Sequence, residues 1–180
     1  MAKPLGGSWT EGSVKTFTTA LIELSFYTGS GFSNPFNPPS SFKSSYKTVD
    51  TTNETRTNLV TKVGGYTLVG YGYYGCWSNS SAGFNVGSSA GNYIEFPAIS
   101  GKKLTRVGII SGTESTHGNP AICPADSSTP VTGGEAHPGS FTTDEWYEWN
   151  LSGTTVNTAY RIYLTTDKSI AIRRLTLTYE

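Results

Sequence analysis

Near the C-terminal end, Trp146-Tyr147-Glu148-Trp149-Asn150-Leu151 brings two indoles, a phenol and a carboxylate into one short run, and their spacing decides which of them face water. Tyr147, Trp149 and Leu151 share one parity and Trp146, Glu148 and Asn150 the other, the period of two of a half-buried strand. With the apolar parity turned to a core, Trp146 and Glu148 stand together in solvent. A flat ring stacks on the C–H face of a sugar, and a neighbouring carboxylate exchanges hydrogen bonds with its hydroxyls. A loop covering Trp146 is the competing, purely structural reading. A second aromatic set, Tyr71, Tyr73, Tyr74 and Trp77, is interleaved with Gly70, Gly72 and Gly75, residues that admit bends or close backbone approach beside flat rings. Tyr71 and Tyr73 share a face and Tyr74 takes the other, so one set is left for solvent, with core or edge packing as the alternative for each ring. The stretch holding His117, Asn119, Asp126, Glu135 and His137 supplies a polar rim. Within it Asn119 and Asp126 are candidate hydrogen-bonders, against the ordinary part such residues play in turns, and Asn119 and His137 count among the candidate ligand-binding residues.

Reactive chemistry has less to stand on. A glycosidase needs two carboxylates about 5 to 9 Å apart across a cleft, and Glu95, Glu114, Glu135, Asp144, Glu145 and Glu148 have no spacing that pairs them. No Gly-x-Ser-x-Gly elbow occurs in a strand-turn-helix context. His117, Cys123 and His137 with Cys76 match no compact zinc spacing, and the acids form no D-x-D-x-D run. No catalytic residue, metal or cofactor is therefore expected, with a structural calcium in a loop left open. Cys76 and Cys123 are too few to define a framework. They leave two readings: a bridge, worth roughly 3 to 4 kcal/mol in the chain-entropy model, or two separate thiols, one of them buried.

The elements that must position these residues read as strands. After Trp146–Leu151, a Ser/Gly/Thr/Asn turn leads to Ala159–Leu164, with Tyr160, Ile162 and Leu164 on one side. From Ile170 to Tyr179 the apolar parity moves from even (Ile170, Ile172) to odd (Leu175, Leu177, Tyr179), which places a bulge near Arg173-Arg174. Earlier, Val14–Tyr27 is a strand with Ala20, Ile22, Leu24 and Phe26 inward, preceded by an irregular arm over residues 1–13. Residues 29–39 carry three prolines in a long loop. Phe42–Val63 reads as a weak edge hairpin, Tyr66–Trp77 as a strand running into the Gly and aromatic ladder, and Ser78–Gly91 as loop. Tyr93–Phe96 is a short strand stopped by Pro97, and Leu104–Ile110 a core strand. Residues 111–143 are mostly loop, with strand character at Ala121–Cys123. Nine or ten short strands, no helix and no repeat describe an all-β, two-sheet antiparallel β-sandwich, a jelly roll, forming a single domain over residues 1–180.

Composition narrows the partners. Charged residues are 14 % of 180 with a net charge of zero, so no field gathers phosphate backbones or anionic lipid, and nucleic acid is excluded. No apolar run has the roughly 18 residues of a membrane span. The chain opens without the apolar stretch of a secretory signal. Its Ser/Thr/Asn/Gly-rich, lysine-poor surface nevertheless suits an exported protein, with other domains of a larger protein as further partners.

The succession Tyr93-Ile94-Glu95-Phe96-Pro97-Ala98-Ile99-Ser100-Gly101-Lys102-Lys103-Leu104-Thr105-Arg106-Val107, Gly133-Gly134-Glu135-Ala136, Trp149-Asn150-Leu151-Ser152-Gly153-Thr154, Asn157-Thr158-Ala159-Tyr160-Arg161 and Leu175-Thr176-Leu177-Thr178-Tyr179 resembles the terminal jelly-roll domain of Bacteroidetes surface or periplasmic lipoproteins. Such domains are similar to the galactose-binding-like sandwiches used as carbohydrate-binding modules. The resemblance covers about half the chain, in turns and core strands, and carries over almost no functional positions. It implies a non-catalytic module of a bacterial periplasmic or cell-surface protein that binds glycan or polysaccharide by aromatic stacking. A structural or adhesin-like sandwich that contacts protein or spaces other domains is the alternative, and a glycoside hydrolase the third reading.

Overall fold

The computed structural model describes residues 21–27, 59–63, 66–71, 76–79, 83–86, 89–112, 118–137 and 140–180. Among these there is no helix, and hence none long and apolar enough to cross a membrane. The strands are β1 (Ile22–Tyr27), β2 (Leu59–Val63), β3 (Tyr66–Tyr71), β4 (Cys76–Asn79), β5 (Gly83–Val86) and β6 (Tyr93–Glu95). They continue with β7 (Leu104–Ser111), β8 (Pro120–Pro124), β9 (Trp146–Asn150), β10 (Tyr160–Leu164) and β11 (Ile170–Tyr179). A six-stranded sheet runs β4-β5-β11-β7-β9 with β1 also on β11, and a five-stranded sheet runs β2-β3-β6-β10-β8. Every pairing is antiparallel.

The longest strand, β11, is the spine of the larger sheet. Ile170–Ile172 pairs with β5, Arg174–Tyr179 pairs with β1, and β7 lies along the opposite edge. Between Ile172 and Arg174 the register advances by only one residue on β7, from Ser111 to Ile110, so Arg173 is the extra residue of a bulge. That is the physical origin of the parity switch in the sequence: one inserted residue exchanges the faces, and both apolar sets, Ile170/Ile172 and Leu175/Leu177/Tyr179, are buried.

The two sheets share one apolar core. Leu24, Phe26, Val107, Ile109, Trp149, Leu175, Leu177 and Tyr179 enter from the six-stranded sheet, and Leu68, Ile94, Ile122, Tyr160, Ile162 and Leu164 from the other. Each such side chain contributes about 1.5 to 3 kcal/mol by leaving water. Phe96 and Phe141, in the connections, close the core between strands. The end of β9 is tied down by a turn in which Gly133 has a φ of +83°, and a Cβ there would meet the Asn150 carbonyl oxygen at 2.0 Å. Only glycine fits that approach.

Three expectations are corrected. Ser78–Gly91 is not simply loop: β4 reaches Asn79 and pairs with β5, whose other edge is held by Ile170–Ile172. Weak β-formers are carried there by the ladder on both sides rather than by propensity. Tyr66–Trp77 is not one ladder, because β3 belongs to the five-stranded sheet and β4 to the six-stranded one. Leu59–Val63 is an edge strand as expected, but its hairpin partner is β3, which follows it. The arm over 1–13, the proline loop over 29–39 and the first part of the expected Phe42–Val63 hairpin lie outside the described residues.

Candidate binding face

The outward face of the six-stranded sheet is set by the same alternation that fills its core. With Leu24 and Phe26, Val107 and Ile109, Trp149, and Leu175 and Leu177 inward, the opposite parity of four neighbouring strands forms a grid. One row across the strands is Ser25, Thr176, Gly108 and Glu148. The next is Glu23, Thr178, Arg106 and Asn150, and on the other side Arg174, Ile110 and Trp146. At the centre Ser25, Thr176, Thr178, Gly108 and Ile110 are buried, and the side chains of this grid that reach solvent are Trp146, Glu148, Asn150 and Glu23, with Arg106 and Arg174 half-buried.

Trp146 is 44 % exposed, while Trp149, three positions on, is 5 % exposed. The indole is not loose. Its six-membered ring occupies the space that a side chain on Gly108 would fill, with Cη2 and Cζ2 both 2.1 Å from an ideal Cβ there. Its Nε1 donates to Glu148 Oε2 at 3.2 Å. Glycine at 108 is required by this contact and not by backbone conformation, since its φ is not positive. A ring already seated and tethered loses little rotamer freedom when something stacks on it, which favours binding.

The charges around the ring are ordered by partners from other strands. Arg106 lies 3.7 Å from both Glu148 and Glu23 and donates from Nε to Thr178 Oγ1 at 3.3 Å. These exposed ion pairs contribute little to stability, within about 1 kcal/mol, but they fix the Glu148 carboxylate that holds the indole. Arg174 donates from Nε to Thr176 Oγ1 at 3.0 Å and from Nη2 to Ser25 Oγ at 3.2 Å, and those two hydroxyls are 3.1 Å apart. Its Cζ lies 5.9 Å from the Trp146 ring centroid, at the outer limit of cation–π contact. Arg173, on the bulge, pairs with Asp144.

Of the residues expected from sequence, Trp146 and Glu148 are brought together on this face. Those of the others that the structure describes lie elsewhere. Tyr71 pairs in register with Tyr93 in the other sheet. Trp77 sits on β4, and β5, β11 and β7 separate that strand from β9. Tyr73, Tyr74 and His117 lie outside the described residues. Asn119 takes a φ of 45° before β8, and its carbonyl accepts from Thr165 Oγ1 at 2.8 Å, the part of a turn residue. The His137 ring stacks on Phe141 at 4.5 Å and meets Tyr147 edge-on at 5.1 Å, on the core side of β9 and away from Trp146. Cys123 is a buried free thiol on β8, so the bridge considered with Cys76 is not made. Burial pushes its ionisation above the ordinary thiol value, partly offset by the nearby Arg161 charge.

Sequence reasoning did not select Glu23, Ser25, Arg106, Gly108, Arg174 and Thr176. The alternation in Glu23-Leu24-Ser25-Phe26, Arg106-Val107-Gly108-Ile109 and Arg174-Leu175-Thr176-Leu177-Thr178 puts each of them on the face opposite the core, but nothing local says that these strands are neighbours. The five-stranded sheet has a comparable outer patch in Tyr93, Arg161 and Tyr163. There the Arg161 guanidinium lies 4.5 Å over the Tyr93 ring and 4.9 Å over Tyr163, with Nη2 donating to the Ser127 carbonyl at 2.9 Å. That guanidinium approaches its rings more closely than Arg174, at 5.9 Å, approaches Trp146. Comparison of the chain with models of known protein families and with curated proteins finds no match.

Proposed function

We propose that this chain is a non-catalytic carbohydrate-binding module that takes glycan on the outward face of its six-stranded sheet, with Trp146 as the stacking platform. The observation that carries it is the half-exposed indole seated over Gly108 and tethered to Glu148, with the Arg174 guanidinium within 5.9 Å of its centroid. An exposed, preorganised aromatic surface next to planar hydrogen-bonding groups meets the two requirements of sugar recognition, a flat apolar contact and directional bonds to hydroxyls. Glu148, the carboxylate at the ring, and Glu23 on β1 are both engaged with Arg106 as ion pairs, an arrangement that suits orientation of a ligand better than proton transfer.

A jelly-roll winding accords with this reading. From β5 onward successive strands alternate between the sheets, with the neighbour order β5-β11-β7-β9 in one and β6-β10-β8 in the other, and this alternation is what supports reading interleaved Greek keys here. Together with the resemblance of the second half to domains of exported bacterial lipoproteins, it supports reading the chain as a periplasmic or cell-surface module of a larger protein. The test is a glycan array followed by calorimetry. Micromolar to millimolar binding that Trp146→Ala abolishes, with an unchanged circular dichroism spectrum, supports the proposal. Silence across the array supports a spacer or protein-contacting sandwich instead, and release of reducing ends from polysaccharide by the purified chain overturns the non-catalytic assignment.

A further inference from the structure

Two guanidinium groups of this face relate to Trp146, Arg174 over the ring and Arg106 through Glu148, and they differ in what neutralises them. Arg106 lies between two carboxylates, Glu23 and Glu148, each at 3.7 Å. The neighbouring Arg173 is taken by Asp144. Arg174 has no carboxylate partner among the described residues: Nε and Nη2 are given to Thr176 and Ser25, neutral hydroxyls that also bond each other. The face as a whole balances two positive and two negative groups, but both negative ones are committed to Arg106. Arg174 is thus held rigidly by the inner side of its fork, with donors left over and its charge answered only by the edge of a cation–π contact at 5.9 Å from the Trp146 centroid.

A guanidinium in that state is matched to a carboxylate, which it meets through two parallel N–H···O bonds and whose charge it neutralises. Placed beside the stacking ring, it meets a substituent of the sugar that lies on the indole. Resting on the binding reading above, we propose that the preferred ligand is acidic: a hexuronate-containing glycan whose pyranose stacks on Trp146 and whose carboxylate pairs with Arg174. Ser25 and Thr176 are then positioning residues, which keep the guanidinium upright from beneath.

The test compares hexuronate polymers (polygalacturonate, polyglucuronate) with the same polymers after carboxyl reduction, which keeps the ring and removes only the charge. Affinity is measured by calorimetry at low and high salt. The acid forms are expected to bind at least tenfold tighter, with a preference that shrinks as salt rises because it is electrostatic. Arg174→Gln is expected to erase the preference and leave binding of the reduced polymer in place, whereas Trp146→Ala removes binding of both. Equal affinity for acid and reduced polymers, or a preference indifferent to Arg174→Gln, overturns the acidic assignment while Trp146-dependent binding of neutral glycan leaves the binding reading standing. Binding of neither form, with no response to Trp146→Ala on any glycan, overturns both. If Arg174→Gln misfolds, the comparison of acid with reduced polymer on the unaltered chain still decides.

Discussion

Gly108→Ala separates function from folding at a single methyl group. The Cβ it adds lies 2.1 Å from two carbons of the Trp146 indole and 3.0 Å from a third, where ordinary contact begins near 3.4 Å. The ring must retreat by about 1 Å or more, enough to break its 3.2 Å bond to Glu148. The obstacle is the far end of a side chain, not backbone, and the φ at 108 is one that alanine adopts freely. Alanine in a strand interior is favoured over glycine by roughly 0.5 to 1 kcal/mol, while the lost hydrogen bond costs a similar amount, about 0.5 to 1.5 kcal/mol. Global stability should therefore stay within about 1 kcal/mol of the parent in urea denaturation. Binding should suffer as though the anchor ring had been removed, by about 2 kcal/mol, or roughly 30-fold in Kd. Calorimetry against the best array ligand measures it, and indole emission reports the displaced ring as a red shift absent from a Trp146→Ala background. Parent-like affinity and emission in a well-folded Gly108→Ala protein would refute the seating of Trp146 as the basis of recognition. A stability loss above about 2 kcal/mol would show that the glycine serves the sheet instead.

Gly133→Ala is the opposite case: its φ is +83° and the new Cβ would lie 2.0 Å from the Asn150 backbone oxygen, so a loss of roughly 3 kcal/mol or more is expected in the denaturation midpoint. Thr176→Val keeps the side-chain shape but takes a partner from buried Ser25 and from Arg174. It should cost about 1 to 2 kcal/mol, read by thermal unfolding, and should weaken any charge-dependent binding with it. Burial raises the Tyr179 phenol above its ordinary value of 10.0, with Tyr66 adding to the shift, and raises the Cys123 thiol above 9.0 despite Arg161. Both groups are neutral in the folded state and ionise more easily once unfolded. Their contribution is thus complete below about pH 9 and is lost as pH climbs through their folded values, and urea midpoints taken from pH 7 to 11 should fall on the alkaline side only. Cys123 should also resist thiol reagents until the chain unfolds.

What the amino-acid order determined was each strand's own two faces. The period of two in Trp146–Leu151 is enough to put Trp146 in solvent and Trp149 in the core, and the parity change in Ile170–Tyr179 is enough to place the bulge at Arg173, because burial selects a face for every residue without reference to which strand lies alongside. Neighbourhood was decided only by the tertiary structure. Ser25 and Thr176 stand 151 positions apart in the chain yet share a hydrogen bond. Arg106 draws its two carboxylates from β1 and β9, and Tyr71 and Trp77, close in sequence, are sent to different sheets. Alternation carries no information about register or strand order. Those follow from how the whole apolar surface of both sheets is best covered, and the candidate site, assembled across four strands, came into being with that choice.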